Sequence, residues 1–487
     1  MVTIHQKTVI GLFLTLLFLL AANTNFAQIT ENQSSKLLIH NGNIINIKNG
    51  EILYNHSIVV SDGVIESIMP ATNVKLNSYS IYTDANGKFV IPGIWDMHAH
   101  MRADNLPPFI TTEWMMPLLI ANGVTGVRDM TSSCQYDSQG PVCLDQMRKW
   151  QNEIESGKLL GPRLLALSSY QINPDWNYQF CEQEARALVH QFSNQNLDLI
   201  KIYFRLSPKA YSWIIDESEK LNIDVGGHIP IRMSVIEASE KGLRSLEHAR
   251  DLLFDCYPES NKFRKEAKSQ DPSVKIMHQM VDEFDENILN EIFEVMIKNN
   301  TWYVPTHVTR RMEAYADDPN FRNDFRNEYI PEMLLASWLK DADNVIAMDS
   351  TKNGRDAFMK FYKKGLEITA NAHKSGVRIL LGTDGGDTFV YPGFSVHDEL
   401  QELVLAGLTP LAALQAATIH SAEFLRLQNQ YGSLEKGKKA DFLLLNNNPL
   451  DNISNTKDIH SIVYRGDLFN REILDDLLLK AKSFKLD

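Results

Sequence analysis

The sequence predicts an α/β protein: a (β/α)8 (TIM) barrel carrying a small β-sandwich domain built from both ends of the chain. Three observations lead there. From residue 91 to about 425, short apolar runs alternate with helix-length segments, and that alternation implies a parallel sheet closing into a barrel. Residues 28–90 break instead into β-like runs separated by Asn-Gly and Asp-Gly, which is hairpin chemistry. A second β-like patch lies in residues 426–487, so the two flanks are expected to pair.

The first element is residues 1–27. Lys7 precedes an apolar run from Thr8 to Ala22, and Ala27 offers a small residue before a cut. This reads as a secretory signal peptide cleaved after Ala27. An uncleaved anchor stays open, because Asn25 is a mediocre residue two before the cut. No cysteine sits there to carry a lipid. Export, periplasmic or secreted, is the expected localisation, with no stable membrane span after cleavage.

In the sandwich, the expected strands fall at 37–39, 42–47, 57–60 and 64–68, then at 440–445 and 461–466. The tail 471–486 has helical spacing. The eight barrel strands are expected at 91–97, 124–130, 163–168, 197–204, 223–227, 243–247, 302–305 and 377–383. Helical stretches such as 112–122, 181–194, 207–221, 286–299 and 357–375 lie between them. An open sheet of one unit more or fewer is the alternative.

Composition excludes some classes. The net charge of −13 over 487 residues argues against a nucleic-acid partner. Cys134, Cys143, Cys181 and Cys256 lack the close pairing of a zinc–thiolate site. Cys134 and Cys143 flank a loop; a disulfide there and two free thiols are both open.

A barrel demands that functional side chains sit at the C-terminal ends of several strands. Ile91 to His100 reads as a buried strand ending in His98 and His100, which point the same way. Two neutral imidazoles on one face suit a divalent metal. Lys201 sits inside an apolar strand, where a lysine is costly unless paired or neutralised; reaching solvent at the strand end is the bland explanation. Further ends carry His228, His248 and Asp384. Any one such histidine is more often a satisfied core residue, but together they demand an ion or a hydrogen-bond network.

The set His98-x-His100, Lys201, His228, His248 and Asp384 resembles the amidohydrolase superfamily in its two-metal form. Val90-Ile91-Pro92-Gly93, Leu408-Thr409-Pro410 and the stretch from Gly432 to Asp441 extend the resemblance over nearly all the chain beyond residue 27. The branch it looks most like is imidazolonepropionase-like and prolidase-like (Xaa-Pro dipeptidase), with Lys201 favouring the prolidase side. The resemblance implies that His98, His100 and Asp384 hold one metal and that His228 and His248 hold the other. Carboxylated Lys201 would bridge the two. Zinc is the first choice, with Mn, Fe or Co fitting the same set. It further implies hydrolysis of a C–N bond by a metal-bridging hydroxide, with Asp384 as the catalytic base.

Substrate residues are harder to read. Tyr203, two residues beyond Lys201, should face the cavity mouth and bind substrate. Arg102, Arg128, Arg205, Arg250 and His307 lie near strand ends and could meet a carboxylate. Segments 251–283 and 306–356 are expected to cap the site, with Tyr315, Tyr329, Trp338, Asp341 and Asp343 as cap residues of either structural or specificity role. The substrate class expected is a dipeptide or an N-acyl amino acid. A cyclic-amide hydrolase or deaminase of the same fold is the runner-up, and a non-catalytic metal-binding scaffold the third reading. The partner is a small molecule, and a homo-oligomer is compatible with the sequence.

Overall fold

A computed structural model describes residues 36–483, except 80, 103–111 and 136–141. The signal-peptide segment lies outside the described residues. No described helix is long and apolar enough to cross a membrane.

Seven barrel strands are regular: Ile94–Ala99, Val124–Asp129, Arg163–Leu167, Leu199–Ile202, Asp224–Gly227, Ser245–Glu247 and Trp302–Val304. They pair in parallel as one run of three and one of four. Bridges Ser168 to Leu199 and Ile172 to Ile202 join the two runs. The expected eighth strand is a correction. Residues 377–385 carry only the bridges Tyr303–Ile379 and Ala99–Gly385, which close the ring. A tertiary contact accompanies this: the Thr383 backbone N–H donates to Asp96 Oδ1 at 3.0 Å and its hydroxyl to Oδ2 at 2.6 Å. A side chain has taken the donor that a ladder would use.

The expected strand 91–97 is also two strands. Phe89–Pro92 belongs to the small sheet and Ile94–Ala99 to the barrel. Gly93 stands between them, where a side chain would run into Thr125. The border between the two parts therefore falls at Gly93 rather than before Ile91.

The flanks build one eight-stranded sheet. Its order is Asp467–Phe469, Ile459–Tyr464, Phe442–Leu445, Phe89–Pro92, Leu37–Ile45, Ile52–Ser61 and Val64–Pro70, with Ile81–Asp84 also on Leu37–Ile45. A bridge from Val64 to Lys439 brings its far edge back to the C-terminal strands. The sheet thus wraps an apolar core of its own, including Leu37, Ile58, Ile65, Phe442 and Val463. Alternating apolar residues on the strands other than Ile81–Asp84 supply that face.

The tail forms the helix Arg471–Lys482, with Leu474, Leu477 and Ala481 buried at helical spacing. Between strands, helix starts follow capping chemistry. Ser207 accepts from Ala210 N ahead of Pro208–Leu221, and Ser234 and Glu237 form a capping box for Val235–Glu240. The segment after strand six folds into Arg250–Asp255, Ser260–Glu266 and Val274–Asp282, and the segment after strand seven into His307–Ala314, Pro319–Arg322 and Glu332–Met348. Cys134 and Cys143 are joined in a disulfide.

Candidate active site

Strand one delivers His98 wholly buried and His100 just past its end. His98 Nδ1 donates to Glu247 Oε2 at 2.8 Å, which turns Nε2 toward the barrel centre. There Nε2 lies 3.1 Å from Lys201 Nζ and 3.3 Å from Asp384 Oδ1. His100 Nε2 is 2.9 Å from the same oxygen. On the other side, the His228 and His248 rings stand 4.5 Å apart, and His248 Nδ1 is 3.8 Å from Asp384 Oδ2. Ligand atoms of His98, His248 and Asp384 all fall within 4.8 Å of one another. The structure therefore brings all six predicted side chains, two from strand one and one from each of four others, to one floor.

Electrostatics fit a cation. Burial, reinforced by neighbouring His248, Arg250 and Lys201, holds the His228 imidazole well below its ordinary range. Burial does the same to His248, outweighing Asp384. Burial opposes charge on Asp384, but His98 and His100 overcome it and keep its carboxyl well below the usual value. Burial also lowers Lys201 to about 8, against the pull of Glu247 and Asp384. Burial works against charge on His100, but Asp384 outweighs it and holds that imidazole above its ordinary value. Neutral His228 and His248 beside a charged carboxylate are the protonation states that a divalent ion requires.

Behind the floor stands a brace that sequence reasoning missed. Glu247 Oε1 accepts from Arg128 Nη2 at 2.7 Å and from Ser245 Oγ at 2.6 Å. Arg128 also donates from Nη1 to Ser245 Oγ at 3.0 Å and from Nε to the Met97 carbonyl. Burial works against the Glu247 charge, but Arg128 and His98 more than offset it. Arg128 is thus a correction: it is buried under His98 and does not face a substrate.

Above the floor is a cavity of about 420 Å³. Tyr203 lines it, its ring 4.2 Å from His228 and its hydroxyl accepting from Gln270 Nε2 at 3.4 Å. Arg102 and Arg250 line it too; Arg250 Nη1 pairs with Asp271 Oδ1 at 3.0 Å. Both expected cap segments reach it, through Gln270 and Asp271 and through Arg310, Glu313 and Asp341.

For the other candidates the structure favours the structural role. Arg205 turns to Asn173 and Asp175, and His307 is buried with Nε2 on Thr369 Oγ1. Trp338 packs in the core against Phe389 and Tyr391, Tyr315 stacks on Phe321, Tyr329 lies on Phe394, and Asp343 pairs with Arg322. Those four residues stabilise the cap without touching the cavity.

The sequence matches the family model described as "Amidohydrolase family" over residues 89–469. Ochratoxinase of Aspergillus niger is 22% identical over 479 residues, covering 87% of this chain and 84% of that protein. A Xaa-Pro dipeptidase structure with bound methionine superposes with a TM-score of 0.63 at 22% identity, covering 90% of this chain and 100% of the other. A bottromycin amidohydrolase gives 0.67 at 18% identity over 93% and 92%. At such identities the likeness to these structures speaks for the fold.

Proposed function

The chain belongs to the amidohydrolase family, and on that premise we propose that this hydrolase of carbon–nitrogen bonds cleaves the amide of a small substrate such as a dipeptide or an N-acyl amino acid. The observation that carries the reading is the convergence of His98, His100, Lys201, His228, His248 and Asp384 on one cavity floor. His98, His100 and Asp384 would hold one divalent ion, zinc by preference, and His228 and His248 the second, with Lys201 between. Bound there, such ions acidify a water and polarise an amide carbonyl.

The remaining work falls to the chain. Asp384 lies at the floor of the cavity, charged and in contact with two imidazoles, so it can take the proton of the attacking water. It then hands that proton to the departing nitrogen, without which an amine leaves poorly. Lys201 Nζ, lowered by burial, has a lone pair available near neutral pH. The neutral amine would add to carbon dioxide: the N–C bond forms as one C=O π bond opens onto oxygen, one N–H proton goes to solvent, and the amine becomes a carbamate carboxylate; the ammonium form first gives up a further proton to solvent. Tyr203 would steady a substrate carboxylate at the mouth. The charged wall of the cavity, with Arg250 and Arg102 in it, supports a polar substrate of this kind. We also place the protein outside the cytoplasm, a reading supported by the signal-like residues 1–27 and the Cys134–Cys143 disulfide.

The test is metal content per purified chain together with turnover of a panel holding Xaa-Pro and Xaa-Arg dipeptides and N-acyl amino acids. About two ions per chain and turnover of one class support the reading. One ion and no turnover of any member would overturn it.

A further inference from the structure

Barrel strands six, seven and eight end in a shared backbone feature. Each passes through a non-glycine residue in the left-handed region: His248 at φ 69°, Thr306 at φ 46° and Asp384 at φ 66°. Histidine and aspartate visit this region occasionally, but for a β-branched threonine it is a genuine outlier. Such strain persists only where the surroundings over-determine it, and it gathers at functional sites.

The surroundings of Thr306 do over-determine it. The residue is wholly buried. The two backbone N–H groups that follow it, of His307 and Val308, donate to Glu399 Oε1 and Oε2, each at 2.9 Å. Glu399 is itself wholly buried on the helix Phe394–Leu405 that follows strand eight. The Thr306 carbonyl accepts from Thr309 Oγ1 at 2.9 Å, inside the helix His307–Ala314. Held on both sides, Thr306 aims its hydroxyl at His248 Nδ1, 2.8 Å away. His248 is anchored in turn by its backbone N–H on the Val304 carbonyl at 2.7 Å.

We propose that Thr306 is a positioning residue whose strained turn, clamped by Glu399, fixes the ring orientation and tautomer of His248. In this arrangement the hydroxyl accepts from Nδ1–H, so Nε2 is the nitrogen left with a free lone pair. Histidines that hold metals use such a partner on the opposite nitrogen, and its loss weakens binding. The inference rests on the ion-binding reading given above.

Thr306→Gly, Thr306→Ser and Thr306→Val separate the contributions. Glycine tolerates the backbone but lacks the hydroxyl, serine keeps the hydroxyl, and valine keeps the shape alone. Zinc affinity, measured by chelator competition, should fall about 10- to 100-fold in Thr306→Gly, while the melting temperature holds or rises. Thr306→Ser should stay within about threefold of the parent. In the metal-free chain, the imidazole 15N resonances of His248 should show one fixed tautomer in the parent and in Thr306→Ser, and an averaged one in Thr306→Gly. Should Thr306→Val fail to fold, the glycine variant still decides. Zinc affinity and 15N pattern unchanged in Thr306→Gly overturn the proposal. If the parent binds no zinc, the ion-binding reading has failed instead, and the metal-free 15N pattern alone still decides for or against Thr306.

Discussion

Among the clusters of buried charge in the described residues, two are built on opposite plans. Where the barrel meets the sheet, Arg163 donates from Nε to Asp441 Oδ2 at 2.8 Å and from Nη1 to Glu155 Oε1 at 2.7 Å. Asp441 also accepts from Arg465 N at 2.7 Å, and the guanidinium lies over the faces of Tyr464 and Tyr431. Cation and anions satisfy one another there. At the barrel's other end, four imidazoles, a lysine and one carboxylate face the same small space, with ring nitrogens and carboxylate oxygens turned inward. A cluster that closes on itself is architecture. One that gathers ligand atoms around a common point stores its stabilisation for something that binds.

The comparison breaks most sharply at Asp384. Asp384→Asn should lower turnover by about 10²- to 10⁴-fold while at least one metal ion stays bound. The melting temperature should move by only about one degree, which is what a change of about 1 kcal/mol produces in a chain this long. Near-normal rates on the best panel substrate would remove its role as base. Lys201→Ala comes next: metal content and turnover should drop together, turnover by about 10²-fold, and added bicarbonate should restore neither in full. Two ions still bound per chain in that variant would take Lys201 out of the bridging position.

The same contrast explains what the sequence could disclose. Strand alternation pairs His98 with His100 and Lys201 with Tyr203, so a period of two suffices to put them together. Glu247 escaped that logic because it precedes His248, and alternation sends neighbours to opposite faces. His248 leaves the strand at φ 69° and faces the cavity, while Glu247 stays on the strand and braces His98 from behind. Thr306 is hidden for the same reason. The eighth strand was foreseen by its apolar run, yet its Thr383 donor goes to Asp96, a tertiary contact. Arg128 was placed near the site but on the wrong side, since nothing local distinguishes a guanidinium facing a cavity from one bracing its floor. Arg163 and Asp441 are separated by 278 positions, and no local pattern joins them.

The interior pair should behave in the opposite way to Asp384. Asp441→Ala leaves a buried arginine short of a partner and should cost about 3 kcal/mol in urea unfolding, with kcat within about twofold of the parent. A large fall in kcat with no loss of stability would mean that the barrel–sheet junction is coupled to the site, and the division between the clusters would fail.

Tyr203 gives the smallest effect and the finest cut, because it stands between the two plans. It lines the cavity beside His228, yet its hydroxyl is also engaged by Gln270 of the cap. Burial raises its phenol above the ordinary value, so it remains a neutral donor. If that donor meets a substrate carboxylate, Tyr203→Phe should raise KM about tenfold for the free acid, leave kcat nearly unchanged, and do little for the corresponding C-terminal amide. If the hydroxyl serves only to hold Gln270, the two substrates should suffer alike and the loss should appear in the unfolding curve. The ratio of the two KM changes therefore assigns Tyr203 to the cluster that waits for a ligand or to the fabric that merely surrounds it.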